Sequence, residues 1–236
     1  MSFKRFFAAL AAVLALASCG QKQQFEKKAR ILVVVDLQRD FFNPEGALYV
    51  QGSEVLPEQI ATLAGIYDAV ILTMDWHPGN HCSFIPARGQ WPVHCVQYTQ
   101  GAGLPDQFAI MLRDDKTRAR VFLKGCNKNK EEYGAFESLD DYPEIAYWFD
   151  NCKQVDVCGI AGDYCVKETT SNILKYVPAE KVRVLKEYTR SIDGGAALDQ
   201  FIEERGLNGK KKKSWHHPSG LSSSARILNR PCSVTA

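Results

Sequence analysis

The sequence predicts a doubly wound α/β fold with a mainly parallel central sheet. Short apolar runs rich in β-branched residues recur along the chain, and segments that can form helices separate them. The runs are continuously apolar rather than alternating, which is typical of strands buried on both faces of a parallel sheet. Strands that alternate with helices favour a sheet whose ligand crevice lies beyond the carboxyl ends of the strands.

Five strands and three helices are predicted in chain order. The strands are RILVVVD, DAVILTMD, ARVFLKG, VDVCGIAG and KVRVLKE, at residues 30–36, 68–75, 119–125, 155–162 and 181–187. The best helix candidates are EVLPEQIATLAGI, YCVKETTSNILKY and GGAALDQFIEER, at residues 54–66, 164–176 and 194–205. Because helices fall between strands or after the last one, the order fits the doubly wound class.

The composition fits one globular domain of ordinary size. The chain has 236 residues, of which 45% are hydrophobic and 24% charged, and its formal net charge is +2. Basic residues are scattered apart from the lysine run at 209–214, so no broad face for nucleic acid is expected. We interpret residues 208–236 as an atypical, solvated tail. Its residues His216 and His217 could bind a metal ion, but exposure to solvent is the simpler interpretation.

The N-terminus predicts export with a lipid anchor. Lys4 and Arg5 precede an apolar run that is too short to span a bilayer but suits a secretory signal. LASC follows directly and resembles a bacterial lipobox, so Cys19 is the expected lipidation site after a signal peptide at 1–19. Residues 20–29 then form a tether, and the protein is expected in the cell envelope. A plain secretory signal, a buried helix and a cytoplasmic location are the alternatives.

The chain contains eight cysteines, yet no structural disulfide is expected. A domain of this size does not depend on such bridges for its stability.

Chemically useful side chains gather at the predicted carboxyl ends of the strands. Asp36 ends the first strand, Asp75 and His77 leave the second, Lys124 ends the third, and Cys165 begins the helix after the fourth. One charged residue at a strand end is most simply the point where the strand meets water. Four successive strand ends of this kind favour a functional site.

Cys165, Asp36 and Lys124 form a candidate nucleophile with its base. A cysteine in the first turn of a helix is expected to have a lowered thiol pKa, because the helix N-terminus favours the thiolate. Asp36 can accept the thiol proton and later deliver it to a leaving amine, while Lys124 orients the aspartate. The turn GIAGDYC can direct backbone N–H groups at an oxyanion, although its glycines also suit a plain strand-to-helix connection.

Asp75, His77 and His94 offer one carboxylate and two imidazoles. This set suits a first-row divalent ion such as zinc, manganese or iron, and it leaves coordination positions open. His81 is either a fourth ligand or a neighbour that supports the ligands. An ion beside a cysteine nucleophile is expected to bind a substrate heteroatom rather than generate hydroxide. A polar loop whose histidines face water is the alternative.

Five motifs carry a family resemblance: VVVDLQRDFF, DWHPGNHCSF, WPVHCVQ, FLKG and GIAGDYCV occur in this order. They resemble the motif series of nicotinamidases, in the isochorismatase-like cysteine hydrolase superfamily. The resemblance covers about residues 30–206 and assigns 30–207 to one hydrolase domain. It implies a three-layer fold with a six-stranded parallel sheet, and hydrolysis of nicotinamide to nicotinate and ammonia for NAD salvage. The segment after residue 206 shows no clear strand, so the sixth strand is expected to be missing, displaced or replaced.

The resemblance also implies roles for individual positions. The catalytic triad and the metal ligands of the family fall on Asp36, Lys124, Cys165, Asp75, His77 and His94. The histidine at 81 is a ligand in only some members. A cis peptide is implied between Ile160 and Ala161, with the N–H groups of Ala161 and Cys165 as oxyanion donors. Aromatic residues that enclose the pyridine ring are implied at Phe41, Trp91 and Tyr133.

Two other functions stay open at this point. One is a cysteine hydrolase of the same superfamily that acts on another amide or an enol ether without metal. The other is a lipid-anchored binding protein that captures a pyridine or a metal without turnover, although a binding site has no use for a base and an activated thiol. The expected partner is a small molecule, nicotinamide, and not nucleic acid. Membrane contact is expected only through the lipid anchor, and a homo-oligomer is possible.

Overall fold

Five parallel strands form one sheet with the order β3-β2-β1-β4-β5. The computed structural model describes residues 29–113 and 118–208. The strands are β1 (Ala29–Val35), β2 (Ala69–Asp75), β3 (Ala119–Lys124), β4 (Cys152–Ile160) and β5 (Val182–Arg190). The predicted α/β class with a parallel sheet is confirmed, and each expected strand lies within a few residues of its predicted bounds.

Helices cover both faces of the sheet. In the described residues they are α1 (Arg39–Phe42), α2 (Leu56–Ala64), α3 (Asp106–Arg113), α4 (Pro143–Asn151), α5 (Lys167–Ile173) and α6 (Ala196–Glu204). The three predicted helices correspond to α2, α5 and α6. The α5 helix starts later than expected, because a wider, π-type helical turn at Gly162–Val166 precedes it. The sequence did not predict α1, α3 or α4.

The sheet is buried on both faces, as its continuous apolar runs indicated. Along β1, Ile31, Val33 and Val35 belong to one apolar core, whereas Leu32 and Val34 belong to the core on the opposite face. Successive side chains of a strand point to opposite faces, so a strand between two cores must be apolar at every position. This arrangement leaves the carboxyl ends of the strands as the edge where polar groups collect.

Only five strands occur in residues 29–113 and 118–208, one fewer than the family resemblance implies. At the outer edge of β5, the Asn208 side chain accepts a hydrogen bond from Val184 N (2.8 Å) and donates one to Val184 O (3.0 Å). The expected signal peptide, nearly all of the tether, Cys19 and the tail after Asn208 lie outside the described residues. Ala29, expected in the tether, is instead the first residue of β1.

Within the described part of the chain, no helix has the length and apolar character needed to cross a bilayer. The six cysteines found there are all free thiols.

A buried carboxylate ties β4 to β5 far from the carboxyl ends of the strands. Asp156 is fully buried and accepts hydrogen bonds from the Tyr67 hydroxyl (2.6 Å) and from Arg183 Nε (2.8 Å) and Nη2 (2.7 Å). Its register partner on β1 is Leu32, the middle residue of that strand.

We expect Asp156→Ala to lower the free energy of unfolding by about 1–3 kcal/mol, because it leaves the partly buried Tyr67 hydroxyl without its acceptor and removes a buried side chain. Chemical denaturation measures this change. A loss below about 0.5 kcal/mol, the level of an ordinary surface substitution, would show that the network is replaced by water at no cost.

Candidate active site

The side chains expected at the strand ends meet in one buried cluster. Asp36 follows β1, Asp75 ends β2, Lys124 ends β3, and Cys165 follows β4. Asp75 and Lys124 are register partners in neighbouring strands. The four residues are 0%, 5%, 3% and 7% exposed, so their charges and protons interact with little screening by water.

Lys124 joins the parts of this cluster. Its Nζ lies 2.8 Å from Asp36 Oδ2, 2.5 Å from Asp75 Oδ1 and 3.6 Å from Cys165 Sγ. Burial alone would lower the pKa of Lys124, but the two carboxylates outweigh it and hold the pKa well above its usual value. The lysine is therefore a fixed ammonium between the two acids and the sulfur. The Lys124 ammonium lies between the side chains of Asp36, Asp75 and Cys165. Because this cation already occupies the space between them, the three side chains do not form a second metal site.

Asp36 has one carboxylate oxygen available for a proton. Its Oδ1 accepts the Thr73 hydroxyl (2.7 Å), which fixes the orientation of the group. Oδ2 is close to Lys124, yet no donor among the described residues meets this oxygen in hydrogen-bonding geometry. Burial raises the pKa of Asp36, and the Lys124 charge opposes that rise. A carboxylate with a raised pKa is a stronger base than an ordinary aspartate.

Cys165 lies in the π-type turn after the cis peptide Ile160–Ala161. The Ala161 carbonyl accepts hydrogen bonds from Tyr164 N (3.2 Å) and Val166 N (3.0 Å), which closes the turn around the cysteine. From its place at a predicted helix start, Cys165 was expected to have a lowered thiol pKa. Burial instead raises the pKa of Cys165 well above its usual value, and the Lys124 charge only partly opposes this. The resting thiol therefore keeps its proton and needs a base.

Asp75, His77 and His94 converge as a candidate ligand set for a metal ion. Asp75 Oδ2 lies 3.6 Å from His77 Nε2 and 3.9 Å from His94 Nε2. The Nδ1 atoms of the histidines lie 3.0 Å from Gly125 O and 2.7 Å from Pro92 O, respectively. A carbonyl can only accept, so each Nδ1 carries a hydrogen, and in the neutral form of each ring Nε2 offers a lone pair to a metal ion.

The ligand set fits a divalent ion. Tetrahedral ligands at about 2.0–2.1 Å from zinc are roughly 3.4 Å apart, close to the spacing of these atoms. Burial would raise the pKa of Asp75, but Lys124, His77 and His94 outweigh it and hold the pKa well below its usual range. Burial lowers the pKa of His94, which favours the neutral ring that a ligand needs. Three protein ligands leave a coordination position for substrate or water.

His81 lies beside this set rather than in it. Its Nδ1 accepts the Ser83 N–H (3.2 Å), and its Nε2 lies 3.0 Å from Lys130 O, so both ring nitrogens are engaged by the protein. Its ring packs on His77, with centroids 4.2 Å apart. Of the two roles left open by the sequence, these contacts favour support of His77 over direct ligation.

A cavity opens onto Cys165 and the ligand set. It holds about 420 Å³ of space, including its open mouth, and Phe41, Trp91 and Tyr133 line it as the resemblance implies. Trp91 Nε1 donates to the Tyr133 hydroxyl (3.0 Å), and both rings pack against Tyr164. Aromatic side chains on several sides of the cavity suit a planar ring.

Sequence reasoning missed several residues that line the cavity: Leu48, Val50, Glu131, Glu132, Tyr164 and Ile192. Tyr164 could have been suspected, because it precedes Cys165 within the motif. The other five lie in loops, where no periodicity marks which side chain points inward.

The chain is similar to proteins of known activity. No family model matches it. A nicotinamidase from Saccharomyces cerevisiae is 31% identical over 207 residues, which cover 74% of this chain and 94% of the relative. The solved pyrazinamidase of Pyrococcus horikoshii in complex with zinc has a TM-score of 0.63 and 32% identity, covering 76% of this chain and 97% of that one. The structure of the yeast nicotinamidase bound to the inhibitor nicotinaldehyde has a TM-score of 0.66 and 27% identity, and the match covers 78% of this chain and 100% of that one.

Proposed function

We propose that this chain, which belongs to the nicotinamidase family, hydrolyses nicotinamide to nicotinate and ammonia through a thioester on Cys165. One observation carries the proposal: Lys124 Nζ contacts Asp36 and Asp75 and lies 3.6 Å from Cys165 Sγ. The nucleophile, its base and the metal ligands therefore act on one bound molecule. Nicotinate formed in this way would enter NAD salvage.

The first half of the reaction forms the thioester. Asp36 Oδ2 takes the thiol proton, which burial otherwise retains on Cys165. Sγ then adds to the carboxamide carbon, and the N–H groups of Ala161 and Cys165 stabilise the oxyanion. One such donor typically contributes on the order of 3 kcal/mol to lowering the barrier. The C–N bond breaks, and ammonia leaves with the proton that Asp36 had accepted.

The second half releases nicotinate. Asp36, again a carboxylate, takes a proton from a water molecule that attacks the thioester carbon. The C–S bond breaks, and the Cys165 sulfur regains a proton from Asp36. Lys124 stays charged throughout, because its raised pKa prevents it from giving up a proton. It thus stabilises the thiolate and keeps the Asp36 carboxylate in place.

The ligand set gives the pocket its preference for a pyridine. Asp75, His77 and His94 would hold a divalent ion such as zinc, manganese or iron. When bound, this ion supplies a Lewis acid for the ring nitrogen of the substrate, directly or through a water molecule. A site built to satisfy a heteroatom rejects analogues that lack it more strongly than apolar shape can. Phe41, Trp91 and Tyr133 exclude water from the ring.

The lipid anchor at Cys19 and the envelope location stay predictions, since residues 1–28 lie outside the described part of the chain. A homo-oligomer likewise stays a prediction.

The proposal is tested by incubating the purified, zinc-loaded protein with nicotinamide and measuring nicotinate and ammonia. We expect equal amounts of both products. Benzamide, which has the same carboxamide but no ring nitrogen, serves as the matched control and should be hydrolysed at least about 100-fold more slowly. A zinc-loaded, folded protein that releases no ammonia from nicotinamide would contradict the proposal.

Removing the metal should lower turnover at least about tenfold, because the substrate loses its contact at the ring nitrogen. Initial rates are measured after dialysis against a chelator and again after Zn²⁺ is restored, which should recover the original rate. Circular dichroism checks that the chelated protein remains folded. Full activity of the metal-free protein would favour the alternative of a cysteine hydrolase that uses no metal.

A further inference from the structure

Two polar side chains in the segment after Asp36 form hydrogen bonds with the backbone around the proposed metal ligands. The first is Gln38, which is fully buried. Its Oε1 accepts a hydrogen bond from Asp75 N (2.8 Å), and its Nε2 donates to Asp75 O (2.8 Å) and Ala102 O (3.0 Å). On the opposite side, Asp75 pairs in register with Lys124 of β3. The backbone of this ligand is thus held from both sides, by a strand and by an amide side chain.

Gln38 supplies hydrogen bonds to the backbone of Asp75 at the point where β1 ends. The strand ends at Val35, and Asp36 turns the backbone away with a φ of 47°. Asp75 therefore lies beyond the last backbone partner that β1 provides. The Gln38 amide offers a donor and an acceptor to the same residue, as a neighbouring strand would.

The second side chain is Asp40. Its Oδ2 accepts a hydrogen bond from Cys95 N (2.7 Å), and its Oδ1 accepts one from Ala47 N (3.3 Å). Cys95 directly follows the ligand His94, and its carbonyl accepts the backbone N–H of the ligand His77 (3.1 Å). One carboxylate thus fixes the peptide that connects both histidine segments.

Gly101 makes room for this carboxylate. A Cβ atom added to Gly101 would lie 2.2–2.4 Å from the carboxylate atoms of Asp40, closer than any real contact. The backbone N–H of Asp40 also donates to Gly101 O (2.9 Å). Gly101 and Asp40 therefore pack closely against each other, and a substitution at either residue should displace the Asp40 carboxylate or remove it.

We propose that Gln38 and Asp40 are positioning residues that hold Asp75, His77 and His94 at the spacing a divalent ion requires. The segment 36–40 would then set both the catalytic base and the ligand geometry. This inference rests on the metal site of the proposed function. In this proposal neither side chain contacts the ion. Each acts through the backbone of a ligand or of the residue next to a ligand.

The test is the affinity for Co²⁺, measured by its visible absorbance in competition with a chelator. Wild type is compared with Gln38→Leu, Asp40→Ala and Gly101→Ala. We expect each variant to raise the dissociation constant by about 10–100-fold, as changes to groups that support metal ligands usually do. Asp40→Asn keeps an oxygen that can accept the Cys95 N–H, so its change should stay within about fivefold of wild type.

Asp156→Ala is the matched control, because it removes a buried carboxylate that bonds other groups far from the ligands. It should lose stability while keeping the wild-type Co²⁺ affinity within about twofold. If Gln38→Leu and Asp40→Ala also lose only stability, their role is structural and the inference is overturned. If Asp40→Ala does not fold, Gly101→Ala decides the question, and wild-type Co²⁺ affinity in Gly101→Ala would overturn the role of Asp40. A wild-type protein that binds no Co²⁺ would instead reject the metal site of the proposed function.

Discussion

Replacing Cys165 with alanine should reduce the release of ammonia from nicotinamide at least about 10⁴-fold. The thiol is the only cysteine sulfur that lines the cavity of the described residues, and Lys124 lies 3.6 Å from it. Without it, water would have to attack the amide directly, in a site where Asp36 and Lys124 are arranged around sulfur. Initial rates of ammonia release, at saturating nicotinamide, measure the effect.

A second cysteine variant controls for loss of a buried thiol. Cys152 is buried at the amino end of β4, at the opposite end of the strand from the cluster. Cys152→Ala should therefore keep the wild-type rate within about threefold, although it leaves a small cavity. Substantial turnover by Cys165→Ala would reject the cysteine mechanism. A comparable loss in both variants would point to general damage to the fold.

Replacing Asp36 with asparagine should lower turnover at least about 10³-fold, because an amide cannot accept the thiol proton. The substitution conserves the shape of the side chain, and Thr73 can still bond to it. Because burial raises the pKa of Cys165, the sulfur of this variant should stay protonated. Alkylation of Cys165 by iodoacetamide, followed by mass spectrometry, should be correspondingly slower than in wild type.

The pH dependence gives a second readout of the same variant. Burial raises the pKa of Asp36, so the basic carboxylate is lost as pH falls through a value above that of an ordinary aspartate, about 3.9. The acid limb of kcat/KM in wild type should therefore lie above that value, and it should disappear from the residual activity of Asp36→Asn. An unchanged acid limb, or alkylation at the wild-type rate, would assign the proton transfer to another group.

The architecture and the cluster were predictable because two physical rules act together. A strand between two cores must be apolar on both faces, so β1 and β2 can be recognised in the sequence as continuous runs of apolar residues. The carboxyl ends of parallel strands meet at one edge, so Asp36, Asp75 and Lys124 had to be close if the strands were placed correctly. The register pairing of Asp75 with Lys124 follows from the same rule.

Features that depend on surroundings could not be inferred in this way. Burial sets the direction of the Cys165 pKa shift, and the position of a cysteine at a helix start does not reveal how deeply its thiol is buried. The role of His81 depends on Ser83 and Lys130, and the latter is distant in sequence. Gln38 and Asp40 are ordinary polar residues until the structure shows the backbone groups that they bond.

The most direct test is to look for an acyl group on Cys165 during turnover. Wild-type protein is mixed with nicotinamide and quenched in acid, and a parallel sample contains hydroxylamine to intercept a thioester. We expect a nicotinoyl group on the peptide that contains Cys165, and nicotinohydroxamate in the parallel sample, with neither product from Cys165→Ala. Rapid formation of nicotinate with no acylated peptide and no hydroxamate would contradict a thioester at this cysteine.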